Sequence, residues 1–188
     1  MHDLQPVIEK IMKTVKIKDK EFSLSITSDD IQKSVNRVAA QINNDLQGKD
    51  PIFLVILNGS FMFASDLFKQ LTIPCEISFM KVASYQGTTS TEKVKTLIGL
   101  TENLKGRTVV IVEDIVDTGH TIDDITRGLK TQDPADVRIC TFLFKPNAYT
   151  KNIKIDYVGV EIPNDFIVGY GLDYDGFGRN LPDIYKII

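Results

Sequence analysis

The chain has 188 residues, a formal net charge of -3, 43% hydrophobic and 25% charged residues, which are the proportions of a globular protein. They exclude a disordered or fibrous chain, and the acidic balance argues against life on a nucleic-acid backbone, so a small ligand is the expected partner. No apolar run reaches the roughly 20 residues of a membrane span, and MHDLQPVIEK is polar where a secretory signal is apolar, so a cytoplasmic protein without membrane contact is expected.

A single core commonly serves up to about 250 residues, and no repeat, low-complexity tract or long linker divides the sequence, so one domain over 1–188 is expected. Cys75 and Cys140 sit in apolar segments and read as buried, reduced thiols. The segment up to Phe22 is ambiguous. After it SLSIT alternates like a strand, and Ser28 can cap a helix from Asp29 to about Leu46, whose Ile31, Val35, Val38 and Ile42 recur at helical spacing. Gly48 is the expected stop.

IFLVIL, from Ile52 to Leu57, is short and continuously apolar, which suits a central parallel strand buried on both faces. Asn58-Gly59-Ser60 breaks it, a helix runs to Leu71, and CEISFMKVAS follows as a strand. Tyr85 to Lys95 is polar and unpatterned, either a lid or a surface loop. Strands over Thr96–Leu100, Thr108–Val112, Val137–Phe144 and Ile155–Val160, with a helix to about Lys130, complete an α/β alternation around a mostly parallel sheet. Ligands of such sheets gather at the carboxyl ends of the strands.

VVIVEDIVDTGHTIDDI carries the chemistry. Glu113 and Asp114 could not serve one ligand from a continuing strand, whose side chains alternate between faces, so the chain is expected to leave the sheet there. Asp117, Thr118 and Gly119 then open a helix, whose bare N–H groups and positive dipole end attract a phosphate. Carboxylates upstream and amides downstream suit a ribose 5-phosphate. The plainer alternative makes Asp117 or Thr118 a simple helix cap, and Asp123 and Asp124 belong to a solvated first turn. A nucleotide P-loop lacks its GK[ST] here and a dinucleotide fold its GxGxxG.

VVIVEDIVDTGHT resembles the phosphoribosyl-pyrophosphate motif of the type I phosphoribosyltransferases, and ILNGS, SYQG, LFKP and DFIVGYGLDYDGFGRNLP, in that order, resemble the hypoxanthine-guanine branch of that family. The resemblance covers most of Ile52 to Pro182. It implies a type I phosphoribosyltransferase fold with a mostly parallel central sheet flanked by helices, and a small hood formed by the N-terminal segment and about 160–188. The activity implied is transfer of a phosphoribosyl group from phosphoribosyl pyrophosphate to a six-oxopurine base with Mg²⁺ as cofactor. A homodimer or homotetramer is implied as well.

The resemblance also implies roles. Glu113 and Asp114 bind the ribose hydroxyls or, with Asp173, the metal. Asp117, Thr118, Gly119, His120 and Thr121 surround the 5-phosphate, and Asp117 is the candidate general base. His120, often Lys in the family, is given no catalytic part. Lys145 donates to the six-oxo group, against the alternative of an exposed lysine at a strand exit. Phe166 stacks on the purine rather than filling the core, with Ile167 backbone at the base edge. Arg179 contacts pyrophosphate, although Asp173 and Arg179 could equally form a surface ion pair. Asn58 and Gly59 make the pyrophosphate loop, where Asn58 replaces a common basic residue and the Leu57–Asn58 peptide is a candidate for an unusual geometry. Ser84 and Tyr85 open the lid. A xanthine-preferring relative and a phosphoribosyl-pyrophosphate-binding regulator are the competing readings.

Overall fold

The computed structural model describes residues 14–83, 95–98 and 102–188. Six strands form the central sheet in the order β5-β4-β3-β6-β7-β8: β3 (Ile52–Leu57), β4 (Glu76–Ala83), β5 (Lys95–Ile98), β6 (Thr108–Val116), β7 (Asp136–Phe144) and β8 (Tyr157–Glu161). All pair in parallel except β5, which runs antiparallel to β4 at the edge.

Side-chain alternation sorts the sheet into two faces. Phe53, Val55, Val110 and Val112 pack with helices α1 (Ser28–Asp45) and α2 (Phe61–Gln70), through Val35, Ile42, Phe63 and Leu67. Ile52, Leu54, Ile56, Val109 and Ile111 pack on the other side with Ile122, Ile125 and Leu129 of α3 (His120–Lys130). The continuous apolar runs of β3 and β6 are thus what a strand covered on both faces requires.

Strand order reverses at β3. Its neighbours are β4 on one side and β6 on the other, and α2 and α3 lie on opposite faces, which leaves a crevice above the carboxyl ends of β3 and β6.

A second, antiparallel sheet forms the hood: β1 (Thr14–Ile17), β2 (Lys20–Ile26), β10 (Ile184–Ile187) and β9 (Ile167–Val168), in that order. Ile17, Phe22, Val168 and Tyr185 form its own small core. The ambiguity before Phe22 therefore has a physical source, because β2 takes its partner β10 from the far end of the chain.

Several local expectations need correcting. Thr27, not Ser28, caps α1: its Oγ1 accepts from the Asp30 N–H at 3.2 Å, while the Ser28 N–H donates to Asp183 Oδ1 at 2.7 Å. α1 ends at Asp45 with Leu46 as its C-cap, close to the expected end, and Gly48 at φ +73° lies two residues beyond the cap. β6 does not end at Val112; only its ladder with β3 stops there, at Val55↔Val112, and pairing with β7 continues in register to Val116↔Phe144. β5 begins at Lys95 and β8 at Tyr157, each offset from its expected start. Cys140 is a buried thiol, but Cys75 just before β4 is only half-buried.

Asp183 is 4% exposed and joins the two layers, since its Oδ2 also accepts from the Tyr185 hydroxyl at 3.2 Å. Replacing it by Ala strands the Ser28 N–H at the head of α1 and is expected to cost about 1.5–3 kcal/mol in denaturant unfolding. Asp183→Asn keeps an acceptor and is expected to lose clearly less. Equal losses for the two variants would mean that Asp183 acts by packing alone.

Candidate active site

Three segments meet at the crevice through glycine. A Cβ built on Gly59 would lie 1.5 Å from Asp114 Oδ2, and one built on Gly171 would lie 2.0 Å from the Gly59 carbonyl oxygen. The loop after β3, the end of β6 and the hood loop after β9 are therefore in direct contact at positions where only glycine fits. The Leu57–Asn58 peptide is cis, the unusual geometry entertained for this loop. Asn58 is exposed, Gly59 and Ser60 are buried, and the Ser60 hydroxyl donates back to the Ile56 carbonyl.

β6 continues as a strand through Glu113 and Asp114, and both residues line the cavity at its end. Burial pushes the Glu113 carboxyl well above the usual carboxylate range, and the neighbouring Asp114 charge adds to it. Asp114 is also pushed up, to about 6, chiefly by burial; bonds from backbone N–H groups and the Arg179 charge pull the other way, and the Asp173 charge again raises it. Asp114 Oδ1 accepts from the Ile115 N–H at 2.8 Å.

Asp173 and Arg179 form an ion pair at 2.6 Å, with both side chains about 70% covered. Arg179 Nη1 also donates to the Gly171 carbonyl at 2.7 Å, and Asp173 Oδ2 accepts from the Gly176 N–H at 2.7 Å. Arg179 thereby holds Gly171, which presses on Gly59, and Gly59 in turn presses on Asp114, so the ion pair borders the crevice.

Among the described residues no three His, Cys, Asp or Glu side chains gather as a ligand set, so Glu113, Asp114 and Asp173 do not make a closed metal cage. Mg²⁺ does not need one, because it binds through one or two carboxylates and completes its shell with water and phosphate oxygens. Asp114 and Asp173 fit that use.

The turn expected to meet a phosphate comes next. Gly119 is the N-cap of α3 at φ +85° with no side-chain cap, so neither Asp117 nor Thr118 serves as a cap. A cavity of about 290 Å³ opens there, lined by the run 113–122. Thr118 and His120 are exposed and Thr121 half-buried, and the first N–H groups of α3 begin at this point. Asp123 and Asp124 pair with Arg127, and Asp123 also with Lys151 at 3.4 Å, as fits a charged first turn. A larger cavity of about 500 Å³, near Thr126, Asp136 and Asp156, lies at the amino end of β7 and contains none of the candidate residues.

Lys145 is 8% exposed, not a solvent lysine, and its Nζ lies 2.9 Å from Asp117 Oδ2. Its N–H donates to the Val116 carbonyl at 2.9 Å, which anchors it at the base of the acidic loop. Phe166 is 46% exposed, so it is not core; Phe22 and Tyr174 stand beside it at 6.3 and 6.0 Å, and Lys20 Nζ lies 5.7 Å over its ring. Ile167 is buried in β9. Ser84 and Tyr85 lie outside the described residues.

The structure thus collects Asn58, Gly59, Asp114, Asp173 and Arg179 at one end and Asp117 with Lys145 at the other. Sequence reasoning gave no part to Gly171, inside a quoted motif, or to Tyr149 and Thr150, outside all of them, which press on Gly59 and the 117–119 loop.

Residues 27–175 match the phosphoribosyl transferase domain model. A hypoxanthine-guanine phosphoribosyltransferase from Mycobacterium bovis is 40% identical over 166 residues, 85% of this chain and 82% of that protein. A hypoxanthine phosphoribosyltransferase from Haemophilus influenzae is 38% identical over 176 residues, covering 92% and 98%. The crystal structure of a hypoxanthine phosphoribosyltransferase from Staphylococcus aureus superposes with a TM-score of 0.84 at 37% identity, over 99% of this chain and 97% of that one. With a family model over most of its length and relatives about 40% identical over most of both chains, this chain belongs to the phosphoribosyl transferase domain family.

Proposed function

We propose that this chain is a purine-salvage enzyme that transfers the phosphoribosyl group of phosphoribosyl pyrophosphate to hypoxanthine or guanine, giving IMP or GMP and pyrophosphate. The observation that carries the reading is the Asp117–Lys145 pair at 2.9 Å, set at the mouth of the 117–121 loop. A carboxylate beside an ammonium supports the reading, because a six-oxopurine needs an acceptor for a ring proton next to a donor for its carbonyl.

In this reading the amides of Gly119, His120 and Thr121 hold the 5-phosphate, with the Thr118 hydroxyl beside them. Glu113 and Asp114 approach the ribose from the end of β6. Arg179, and the amides of Asn58 and Gly59, meet the pyrophosphate; an exposed Asn58 leaves that loop to act through its backbone. Phe166 offers its open face to the purine, with Ile167 backbone at the base edge. Asp114 and Asp173, with Glu113, would hold Mg²⁺, which would supply positive charge against the leaving pyrophosphate.

The bond from the anomeric carbon to pyrophosphate oxygen breaks as the bond to the purine nitrogen forms, and the proton of the imidazole ring passes to Asp117. Holding the two reactants in line supplies much of the rate. Lys145 selects oxopurines, because the amino group of adenine cannot accept its hydrogen bond. Self-association into a homodimer or homotetramer and a cytoplasmic site of action belong to the same reading; among the described residues no helix is long and apolar enough to cross a membrane.

Incubation with Mg²⁺, phosphoribosyl pyrophosphate and each of four bases is expected to give nucleotide from hypoxanthine and guanine, little from xanthine and none from adenine. Product from no base would remove the enzyme reading, and xanthine turning over first would replace the base assignment. Asp117→Asn is expected to lower kcat by about 10²–10⁴-fold with modest change in KM. A rise in KM alone would take the general-base role from Asp117. Since Asp114 loses its charge as pH falls through about 6, affinity for phosphoribosyl pyrophosphate with Mg²⁺ is expected to weaken there. Asp114→Asn should flatten that dependence, and an unaltered profile in the variant would assign it to another group.

A further inference from the structure

Thr150 stands behind the phosphate loop and spends two donors on one acceptor. Its backbone N–H and its hydroxyl both donate to the Thr118 carbonyl oxygen, each at 3.2 Å. The rest of its segment follows the loop residue by residue. Lys145 holds the Val116 carbonyl and the Asp117 carboxylate, and Lys151 reaches Asp123. The Tyr149 ring fills the space beside Gly119, where an added Cβ would meet its Cε2 at 2.4 Å. That ring is itself pinned, because its hydroxyl donates to the Ile153 carbonyl at 2.7 Å.

Peptide geometry gives this brace a direction. In a trans peptide the C=O and N–H of one plane point opposite ways. The Thr118 carbonyl is drawn to Thr150, so the Gly119 N–H of the same plane is turned away from the brace. The cavity at the head of α3 is lined by 113–122 and by no residue of 145–151, which fits that direction.

We propose that Thr150 is a positioning residue of the phosphate subsite: by fixing the Thr118 carbonyl it aims the Gly119 N–H at the 5-phosphate of the substrate. The proposal rests on the phosphoribosyl reading above and adds a residue outside the motif that carries it. It also makes the segment after β7 a single part with two ends, Lys145 for the base and Thr150 for the phosphate. A side chain that merely closes a surface loop would stabilise the fold without any preference for phosphate.

The test compares IMP with inosine, which has the same base and sugar and no phosphate, by calorimetry on wild type, Thr150→Val and Thr150→Ser. Val keeps the shape and the backbone bond but removes the hydroxyl donor; Ser restores that donor. Thr150→Val is expected to bind IMP about fivefold more weakly, the loss of one hydrogen bond, with inosine affinity unchanged and Thr150→Ser near wild type. Thr150→Ala repeats the comparison should Val disturb the fold. The proposal is overturned if IMP affinity holds in Thr150→Val, or if IMP and inosine weaken together. Failure of the wild type to prefer IMP over inosine would instead strike the phosphoribosyl reading itself.

Discussion

β6 runs on for the four residues Glu113–Val116 after its last pairing with β3, held only by the ladder to β7. Every element of the crevice is placed by that overrun. It carries two carboxylates past the packed core, delivers the 117–119 turn to the head of α3, and leaves the space above β3 to be filled by the Asn58–Ser60 loop. Register is what fixes it: a slip of one residue would send Val110 and Val112 to the wrong helical layer and Val109 and Ile111 to the other. The sheet core therefore sets the position of the acidic pair, and burial of that pair in turn raises both carboxyls above their usual range. Carboxyls raised in this way at the mouth of a crevice are the kind of perturbed groups that gather at functional sites.

The hood provides the opposite wall. Its four strands come from the two ends of the described chain, and its loop after β9 bends sharply at Gly169 and Gly171 to reach the Gly59 carbonyl. The same loop carries Asp173 and Arg179, already locked to one another and to neighbouring backbone. Phe166 is presented at the hood edge with aromatic neighbours on one side and an open surface on the other. Pre-ordered groups of this kind lose little freedom when a ligand arrives.

Much of this is legible in the residues. Six continuous apolar residues from Ile52 to Leu57 fit a strand covered on both faces, and the Ile31, Val35, Val38, Ile42 stripe fits a helix on a sheet; both are found. The family and its acidic motif are legible too, because a strand, a carboxylate pair and a small-residue turn seldom coincide by chance. What escaped depends on distant partners. The Ser28 N–H is taken by Asp183, which moves the cap to Thr27, and no local pattern shows a partner 155 residues away. The strand beyond Val112 persists because β7 continues beside it, whereas the expected exit rested on the needs of a ligand alone. Thr150 acts on a carbonyl, and carbonyls leave no mark in a sequence.

The central claim is that main-chain nitrogens at the start of α3 receive the phosphate of a purine ribonucleotide. Backbone amide NMR during titration with IMP tests it most directly. The account predicts that the Gly119, His120 and Thr121 amides shift together and saturate with the nucleotide, and barely move with inosine. Nucleotide binding that leaves these three amides in place, while others shift, would contradict it.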